Sequence, residues 1–299
     1  MAKAMRPIGL LLLLYIGFCA FLFLFQDHLL FFPTKMSEER WKYVADDVHA
    51  DYVTIRVNEE GNHLQGWFIA GKAEKAGGAE TSPQEQKLPT VIFFGGNAME
   101  IDTTIYDLLP LRENAVNLLL VDYRGYGLSE GKPAADTMKK DAEKVFDAAA
   151  SHPLVDEEHI IAWGYSLGTG VAAHLASMRP SLPRTDPEHD EGSGAGVEKV
   201  ILFAPFTSTL DLAKEHYPFF PVDLLLRHRF ETLTLAPTLN QPVLIIHGDE
   251  DEEFGIEHAE KIAAAWKGPK ELLVLDGRGH SDLLEDQKAW DAVWKFLQK

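Results

Sequence analysis

Apolar runs recur along the chain at intervals that suit strands separated by helices. Eight of these runs are strand-like: YVTIRV from Tyr52, LQGWFIA from Leu64, TVIFFGG from Thr90, NLLLVDY from Asn117, HIIAWGYS from His159, KVILFAP from Lys199, PVLIIHG from Pro242 and ELLVLDG from Glu271. The last six are nearly unbroken apolar runs, which is typical of strands that are covered on both faces. The first two alternate with polar residues, so they predict an antiparallel edge hairpin around Glu60-Gly61-Asn62.

Helical patterns lie between the later strands. Apolar positions at helical spacing predict helices at residues 135–150, 168–178, 256–266 and 289–297. Strands that alternate with helices are joined by right-handed crossovers, which place helices on both faces of the sheet. The pattern therefore predicts an α/β fold with a mostly parallel central sheet.

Three segments depart from this alternation. Residues 73–87 and 180–197 lack apolar periodicity, so we expect them to be surface loops. Residues 206–235 lie between two strands but are longer than a single crossover helix, and they include the aromatic residues Tyr217, Phe219 and Phe220. This length predicts a crossover that is enlarged into a small lid.

The N-terminal segment has the pattern of a membrane helix. Residues from Ile8 to Phe25 carry no charge, and this stretch is close to the roughly 20 residues that span hydrocarbon. Lys3 and Arg6 precede the stretch, so the positive-inside rule predicts a single-pass protein with a short cytoplasmic N-terminus and its body on the far side of the membrane. Residues 1–33 are predicted to be an anchor with an interfacial segment, and residues 34–299 a single domain.

Two alternatives remain open for this segment. A cleaved signal peptide shares the basic start and the apolar core, although its core is usually ~7–15 residues and is followed by a small-residue cleavage site. Residues 29–33 continue the apolar character, so they either rest at the membrane interface or cover the flank of the domain.

Composition narrows the classes of partner. The chain has 299 residues and a formal net charge of −18, which repels a phosphate backbone, so we do not expect nucleic-acid binding. Its one cysteine, Cys19, excludes a disulfide within the chain and supplies neither a zinc cluster nor a redox pair. The sequence indicates no metal and no cofactor.

Residues 164–168, Gly-Tyr-Ser-Leu-Gly, have the form of a nucleophile elbow. An apolar strand enters the motif and a helical pattern leaves it, which is the context that a Gly-x-Ser-x-Gly turn needs. Gly164 and Gly168 leave room for the sharp turn and for close packing of the next helix. Ser166 is therefore predicted to be the nucleophile.

A serine hydroxyl needs a base, and the base needs an acid to hold it in one tautomer. His280 follows two glycines at the end of one strand, and Asp251 and Asp249 follow the end of another. Because the carboxyl ends of parallel strands meet at one edge of the sheet, Ser166, His280 and an aspartate can converge there. We expect His280 to be the base and Asp251 the acid, with Asp249 as the alternative.

Two further predictions concern the surroundings of this serine. A tetrahedral intermediate needs two backbone donors, and we expect the amides of Leu167 and Asn97 to form this oxyanion hole. The alternative for the Gly95-Gly96-Asn97 segment is an ordinary tight turn. His258, on an amphipathic helix, is predicted to face solvent.

Together these motifs resemble the α/β-hydrolase superfamily from about Tyr52 to the C-terminus. FFGGNA near Gly96 and VDYRGYGLSEGKP at 121–133 are similar to a membrane-anchored branch related to serine aminopeptidase-like hydrolases and protein depalmitoylases. The resemblance implies the α/β-hydrolase fold and the same roles for Ser166, His280, Asp251, Asn97 and Leu167. Relatives usually have His-Gly-Asn-Ala where this chain has Gly-Gly-Asn-Ala at 95–98. Arg124 and Tyr126 either shape the same crevice or belong to a buried structural loop.

The predicted function is a serine hydrolase that cleaves an ester or thioester through an acyl-enzyme, in the manner of a carboxylesterase, thioesterase or lysophospholipase. Apolar lid residues and the anchor favour a small-molecule or lipid-like acyl substrate beside a membrane. An aminopeptidase that cleaves amides uses the same residues, so it remains an alternative. A non-catalytic protein that keeps the fold and a ligand cleft is a further alternative.

Overall fold

The computed structural model describes residues 2–59, 61–72, 86–181 and 195–299, with side chains from residue 8 onward. Its eight strands are β1 Asp51–Arg56, β2 His63–Ile69, β3 Leu88–Phe94, β4 Asn117–Val121, β5 Val155–Tyr165, β6 Val197–Phe203, β7 Val243–Gly248 and β8 Lys270–Leu275. The helices in the described part of the chain are α1 Ala2–Leu30, α2 Glu38–Val48, α3 Ile101–Leu108, α4 Pro110–Glu113, α5 Ala135–Ala150, α6 Leu167–Met178, α7 Thr209–His216, α8 Val222–Leu225, α9 Thr232–Leu235, α10 Ile256–Ala265 and α11 Gln287–Leu297.

All eight strands form one sheet in the order β1-β2-β4-β3-β5-β6-β7-β8. The strands from β3 to β8 are parallel to one another, whereas β1 and β2 form an antiparallel hairpin at one edge. The predicted α/β fold, the strands, the edge hairpin and the four predicted helices are confirmed. Glu60, in the hairpin turn, lies outside the described residues, as do residues 73–85 and 182–194 of the two predicted loops.

Two apolar cores lie on opposite faces of this sheet. One contains side chains of α5, α6 and α10, such as Phe146, Val171 and Ile262. The other contains side chains of α2, α3 and α11, such as Trp41 and Ile105. Double coverage buries most of β3, β4, β6 and β7, as the apolar runs predict. Strand β8 is not covered on both faces. Its residues mostly alternate between exposed and partly buried, because this strand is the edge of the sheet.

Helix α2 was not among the predicted elements, although its sequence carries a helical signal. Trp41, Val44, Ala45 and Val48 recur at helical spacing and are buried. The Ser37 side chain caps the helix by accepting a hydrogen bond from the Arg40 amide. The apolar runs that predict the strands do not reveal this helix, which closes one face of the sheet.

Helix α1 contains the stretch Ile8–Leu30, which is long and apolar enough to cross a membrane, and within this stretch only Gln26 is buried. A membrane location agrees with this helix. Beyond it, Phe31 is buried in the core beside the ring of His228, while Leu29 and Phe32 remain exposed. Phe31 thus covers the flank of the domain, whereas contact of the exposed Leu29 and Phe32 with a membrane interface remains a prediction.

Between β6 and β7 the chain forms three short helices, α7, α8 and α9, instead of one crossover helix. The segment begins at the buried Phe206 and returns to the core through the buried Phe230. This agrees with an enlarged crossover at residues 206–235, and its action as a lid remains a prediction.

Candidate active site

Ser166 occupies a strained turn between β5 and α6. Its backbone has φ 50° and ψ −116°, a conformation that residues other than glycine rarely adopt. A Cβ on Gly164 would lie 2.3 Å from the Gly168 carbonyl oxygen, and one on Gly168 would lie 1.9 Å from that of Phe94. Glycine is thus required at both places, for the packing reason that the motif suggested.

The loop after β8 brings His280 to this serine. His280 Nε2 lies 2.9 Å from Ser166 Oγ, and its Nδ1 lies 2.8 Å from Asp251 Oδ2. A carboxylate only accepts hydrogen bonds, so Nδ1 carries the proton and Nε2 is left to accept one from the serine. The Tyr165 hydroxyl donates to the His280 carbonyl at 2.6 Å and holds this loop in place.

Asp251 lies in the loop after β7, and its side chain is fully buried. Its Oδ1 accepts hydrogen bonds from the amides of Glu253 and Phe254, each at 2.9 Å. Burial by itself raises the pKa of the Asp251 carboxyl, but the hydrogen bonds from His280 and the Phe254 amide outweigh burial and bring this pKa below its usual value. The carboxyl group is therefore ionised at neutral pH.

Asp249 takes a different position. Its Oδ1 accepts a hydrogen bond from the Gly277 amide at 2.7 Å, which ties the loop after β7 to the loop after β8. The carboxylate that reaches His280 is therefore that of Asp251.

His247, which the sequence analysis did not single out as a site residue, lies directly behind this aspartate. Its side chain is fully buried, with Nε2 2.9 Å from the Phe254 carbonyl oxygen and 3.3 Å from Asp251 Oδ2. Burial lowers the pKa of His247, so it is neutral and donates from Nε2. It thus closes the turn from which Asp251 projects, and its only signal in the sequence was the His-Gly-x-x-Asp spacing.

The loop after β3 lies against the serine from the other side. A Cβ on Gly96 would lie 3.3 Å from Ser166 Cβ, so this loop passes as closely as glycine allows. Leu167 is the first residue of α6, where the amides have no intrahelical acceptor. The structure thus brings the segment around Asn97 and the start of α6 to the same serine.

The Asn97 side chain has contacts that the sequence did not reveal. Its Nδ2 donates to the Leu30 carbonyl at 2.8 Å, and its Oδ1 accepts from the Phe32 amide at 3.0 Å and from the Tyr126 hydroxyl at 2.8 Å. Through this one amide group, the end of α1 is joined to the loop beside Ser166.

Arg124 and Tyr126 have different surroundings. Tyr126 is buried and reaches the crevice through its hydrogen bond to Asn97. The Arg124 guanidinium forms a bidentate pair with Asp141, with both distances 2.7 Å, and so joins its loop to α5. Tyr126 therefore supports the crevice, whereas this ion pair of Arg124 is structural.

The prediction for His258 was wrong, because its side chain is buried rather than solvated. Its Nδ1 lies 2.9 Å from Thr207 Oγ1, and its Nε2 lies 3.3 Å from Glu215 Oε2. The crossover segment covers this face of α10, which the pattern of α10 alone does not indicate.

Two side chains border His280 on its outer side. The Phe254 ring packs edge-on against the imidazole, with centroids 4.8 Å apart. The Glu253 carboxylate, 62% exposed, lies 3.5 Å from His280 Nε2. One side of the imidazole is therefore apolar, and the other faces an open negative charge. In the part of the chain that the structure describes, no group of three or more His, Cys, Asp or Glu residues is placed to hold a metal ion.

Comparison with known proteins gives matches over most of the chain. The model of the prolyl oligopeptidase family matches residues 132–299. An uncharacterized protein of Mycobacterium tuberculosis is 27% identical over 297 residues, which cover 99% of this chain and 95% of that protein. Alpha/beta hydrolase domain-containing protein 17B of Xenopus tropicalis is 30% identical over 249 residues, which cover 81% of this chain and 74% of that protein.

Similar structures include two esterases. An esterase of Pyrococcus furiosus superposes with a TM-score of 0.63 at 17% identity, covering 90% of this chain and 97% of its own. An acetyl xylan esterase of Paenibacillus sp. R4 superposes with a TM-score of 0.59 at 15% identity, covering 87% and 92%. At these identities the likeness shows the α/β-hydrolase fold alone.

Proposed function

Because the chain belongs to the prolyl oligopeptidase family of α/β-hydrolases and is a hydrolase, we propose that it cleaves ester or thioester bonds with Ser166 as nucleophile. The observation that carries the proposal is the continuous contact from Ser166 Oγ to His280 Nε2 at 2.9 Å and from His280 Nδ1 to Asp251 Oδ2 at 2.8 Å. These are the distances at which a base takes a proton from a nucleophile and an acid orients the base.

The proposed reaction has two halves. His280 Nε2 takes the hydroxyl proton as Ser166 Oγ attacks the acyl carbon, and the amides of Leu167 and Asn97 bind the oxyanion. The leaving alcohol or thiol takes that proton from His280, and the acyl-enzyme remains. Water then gives a proton to His280 and attacks the acyl carbon, which releases the carboxylic acid and restores the Ser166 hydroxyl. Asp251 stabilises the imidazolium in both halves.

We propose a small-molecule or lipid-like acyl substrate and an anchored protein. Support comes from α1, whose stretch Ile8–Leu30 is long enough to span a bilayer, and from the hydrogen bonds of Asn97 to the end of this helix. Lys3 and Arg6 before the span favour a cytoplasmic N-terminus, with the catalytic domain on the far side. A reporter fused after Lys299 tests this orientation, because a cytoplasmic signal would contradict it.

A second candidate is amide hydrolysis of the aminopeptidase type. The exposed Glu253 carboxylate, 3.5 Å from His280 Nε2, is placed where the amino group of a peptide substrate would meet a negative charge. The variant Glu253→Gln separates the two candidates. We expect unchanged hydrolysis of neutral acyl esters, whereas selective loss of activity on aminoacyl p-nitroanilides would favour the aminopeptidase.

The principal test is covalent labelling of the full chain with a fluorophosphonate probe, followed by assays with acyl esters and thioesters. We expect labelling of the parent protein and its loss in Ser166→Ala and His280→Ala. Ser151→Ala, in an exposed turn after α5, is the matched control and should be labelled normally. Folded parent protein that takes no label would contradict the proposal and favour a non-catalytic binding protein.

A further inference from the structure

The outer part of the crossover segment, residues 217–226, is an apolar surface that stands away from the domain. We call these residues the lid tip. Phe219 is 85% exposed and Leu224 is 82% exposed, more than any other large apolar side chain that the structure describes. Such a concentrated apolar surface marks a contact with a partner or with a membrane.

The lid tip lies along the membrane-spanning stretch of α1. The Tyr15 hydroxyl donates to the Phe219 carbonyl at 3.0 Å. The Phe220 ring stacks on Tyr15, with centroids 5.5 Å apart, and contacts Phe18 at 5.0 Å. Toward the domain, Gln26 Nε2 donates to the Leu225 carbonyl at 3.0 Å. The tip therefore follows α1 from Gln26 up to Tyr15.

The length of this contact along α1 indicates how deep in a bilayer the lid tip would lie. Tyr15 and Gln26 are separated by 11 residues, which at 1.5 Å per residue is about 16 Å along the helix. The hydrocarbon core of a bilayer is about 30 Å thick, so 16 Å is close to one leaflet. If α1 spans the membrane, Phe219 and Phe220 lie at the level of acyl chains.

Most of the backbone of the tip suits an apolar solvent, where each unpaired amide is costly. Pro218 and Pro221 have no amide hydrogen. The amides of Phe220 and Val222 donate to carbonyls inside the tip, and those of Leu224, Leu225 and Leu226 do the same. The one charged side chain of the tip, Asp223, is paired with Lys214 at 2.9 Å.

The base of the tip leads to the serine. Leu225 contacts Gln26, and one helical turn later the Leu30 carbonyl accepts from Asn97 Nδ2. The neighbouring Gly96 lies against Ser166. Ser166 is therefore close to the level at which α1 leaves the membrane.

We propose that the lid tip is inserted in the leaflet that α1 enters from the catalytic domain, and that the acyl substrate reaches Ser166 from this leaflet. The first part rests on the proposed membrane anchor alone, and the second rests also on the proposed hydrolysis by Ser166. The occupant of the apolar surface is the lipid bilayer, because the surface continues the side of a membrane helix. With a net charge of −18, the protein gains nothing from anionic lipid, so zwitterionic phosphatidylcholine is the suitable membrane.

Insertion is tested on the full chain in phosphatidylcholine vesicles. In a Cys19→Ser background, Phe219→Cys carries an environment-sensitive fluorophore, and Ser151→Cys carries the same label as the matched control. We expect quenching by lipids with spin labels on their acyl chains at position 219 only, and quenching by aqueous iodide at position 151 only. Iodide quenching at 219 without lipid quenching would overturn the insertion.

Substrate access is tested with the double variant Phe219→Glu and Leu224→Glu. We expect KM for a long-chain ester embedded in vesicles to rise about 10-fold or more, because a charge in a leaflet is costly. The kcat for a short soluble ester should not change. Leu272→Glu, a partly exposed apolar residue of β8, is the control. If the parent protein and the double variant had equal KM values for the vesicle ester, access from the leaflet would be refuted. If the parent protein hydrolysed no ester at all, the proposed function itself would be refuted.

Discussion

Two buried aspartates, Asp251 and Asp122, lie just beyond strand ends on opposite sides of the site and differ in charge. The triad side, formed by the loops after β5, β7 and β8, holds Asp251, whose pKa lies below its usual value because hydrogen bonds outweigh burial. The anchor side, formed by the loops after β3 and β4 with residues 30–37, holds Asp122, whose pKa burial raises to about 8. Among the residues that the structure describes, Asp122 Oδ2 has no hydrogen-bond partner.

Hydrogen-bond partners, together with the depth of burial, decide whether such a carboxyl is ionised. Asp251 accepts from two amides and from His280, so it keeps its charge at neutral pH. Asp122 lies under the chain at Thr34, whose carbonyl accepts from the Gly127 amide, and a Cβ on Gly127 would lie 1.8 Å from Asp122 Oδ2. Its raised pKa keeps it mostly protonated at neutral pH.

The largest expected effect is on the triad side. Asp251→Asn should lower kcat by about 10⁴-fold, because an amide in this position favours the wrong tautomer of His280. Asp249→Asn is the matched control and should cost less than about 10-fold, since the Asn side-chain oxygen can still accept the hydrogen bond from the Gly277 amide. Steady-state kinetics on a soluble ester compares the two. A larger loss at Asp249 would reverse the assignment.

Asn97→Ala measures how much the anchor side contributes. Loss of the hydrogen bonds to Leu30, Phe32 and Tyr126 should let the loop after β3 move. If its Asn97 amide binds the oxyanion as proposed, we expect kcat to fall by about 10- to 100-fold with little change in KM. Asn114→Ala, at an exposed end of α4, is the control. An unchanged kcat would mean that the loop is held without the anchor.

Tyr165→Phe probes the support of the histidine loop. It removes the hydrogen bond to the His280 carbonyl, worth about 1 kcal/mol, and the contact of the hydroxyl with the Leu283 backbone, so we expect kcat to fall by about 5-fold or more. Tyr52→Phe, on the exposed edge hairpin, should leave kcat unchanged. A loss at Tyr165→Phe as large as that at Asp251→Asn would show that the carbonyl contact sets the whole geometry of the triad side.

The smallest effect on activity is expected from Asp122→Asn, which acts on stability. With a folded pKa of about 8 and an unfolded pKa of about 3.9, Asp122 holds its proton only in the folded state between these values. Its contribution to the free energy of unfolding therefore falls as pH rises through this window, by up to about 1.4 kcal/mol per pH unit.

The Asn variant should lose this slope and be more stable than the parent at pH 8 to 9, as thermal unfolding at pH 5, 7 and 9 measures. Asp251 provides the contrast. Because its folded pKa is depressed, its contribution is present above the unfolded value and is lost only as pH falls below it. Parallel pH profiles for the parent and Asp122→Asn would show that Asp122 is charged in the folded protein.

Local pattern was enough to predict the sheet and the catalytic candidates. Each apolar run became a strand. Coverage on both faces explains the unbroken runs of β3, β4, β6 and β7, whereas β8 lies at the edge of the sheet. Glycine is required at 164 and 168 because a Cβ there would clash with backbone a few residues away or at the end of the neighbouring strand. The motif therefore predicts the turn around Ser166. Pattern failed for His258, since burial there depends on a crossover segment more than 20 residues away in sequence.

The sequence by itself determined the order of strands and helices, the turn at Ser166 and the apolar span before the domain, because these depend on periodicity and local backbone geometry. Only the tertiary structure decided that Asp251, and not Asp249, meets His280, that Asn97 joins the end of α1 to the loop beside Ser166, and that the lid tip lies along α1. These contacts join segments that the chain separates by 29 to 204 residues, and such distances are set by how elements pack around the sheet.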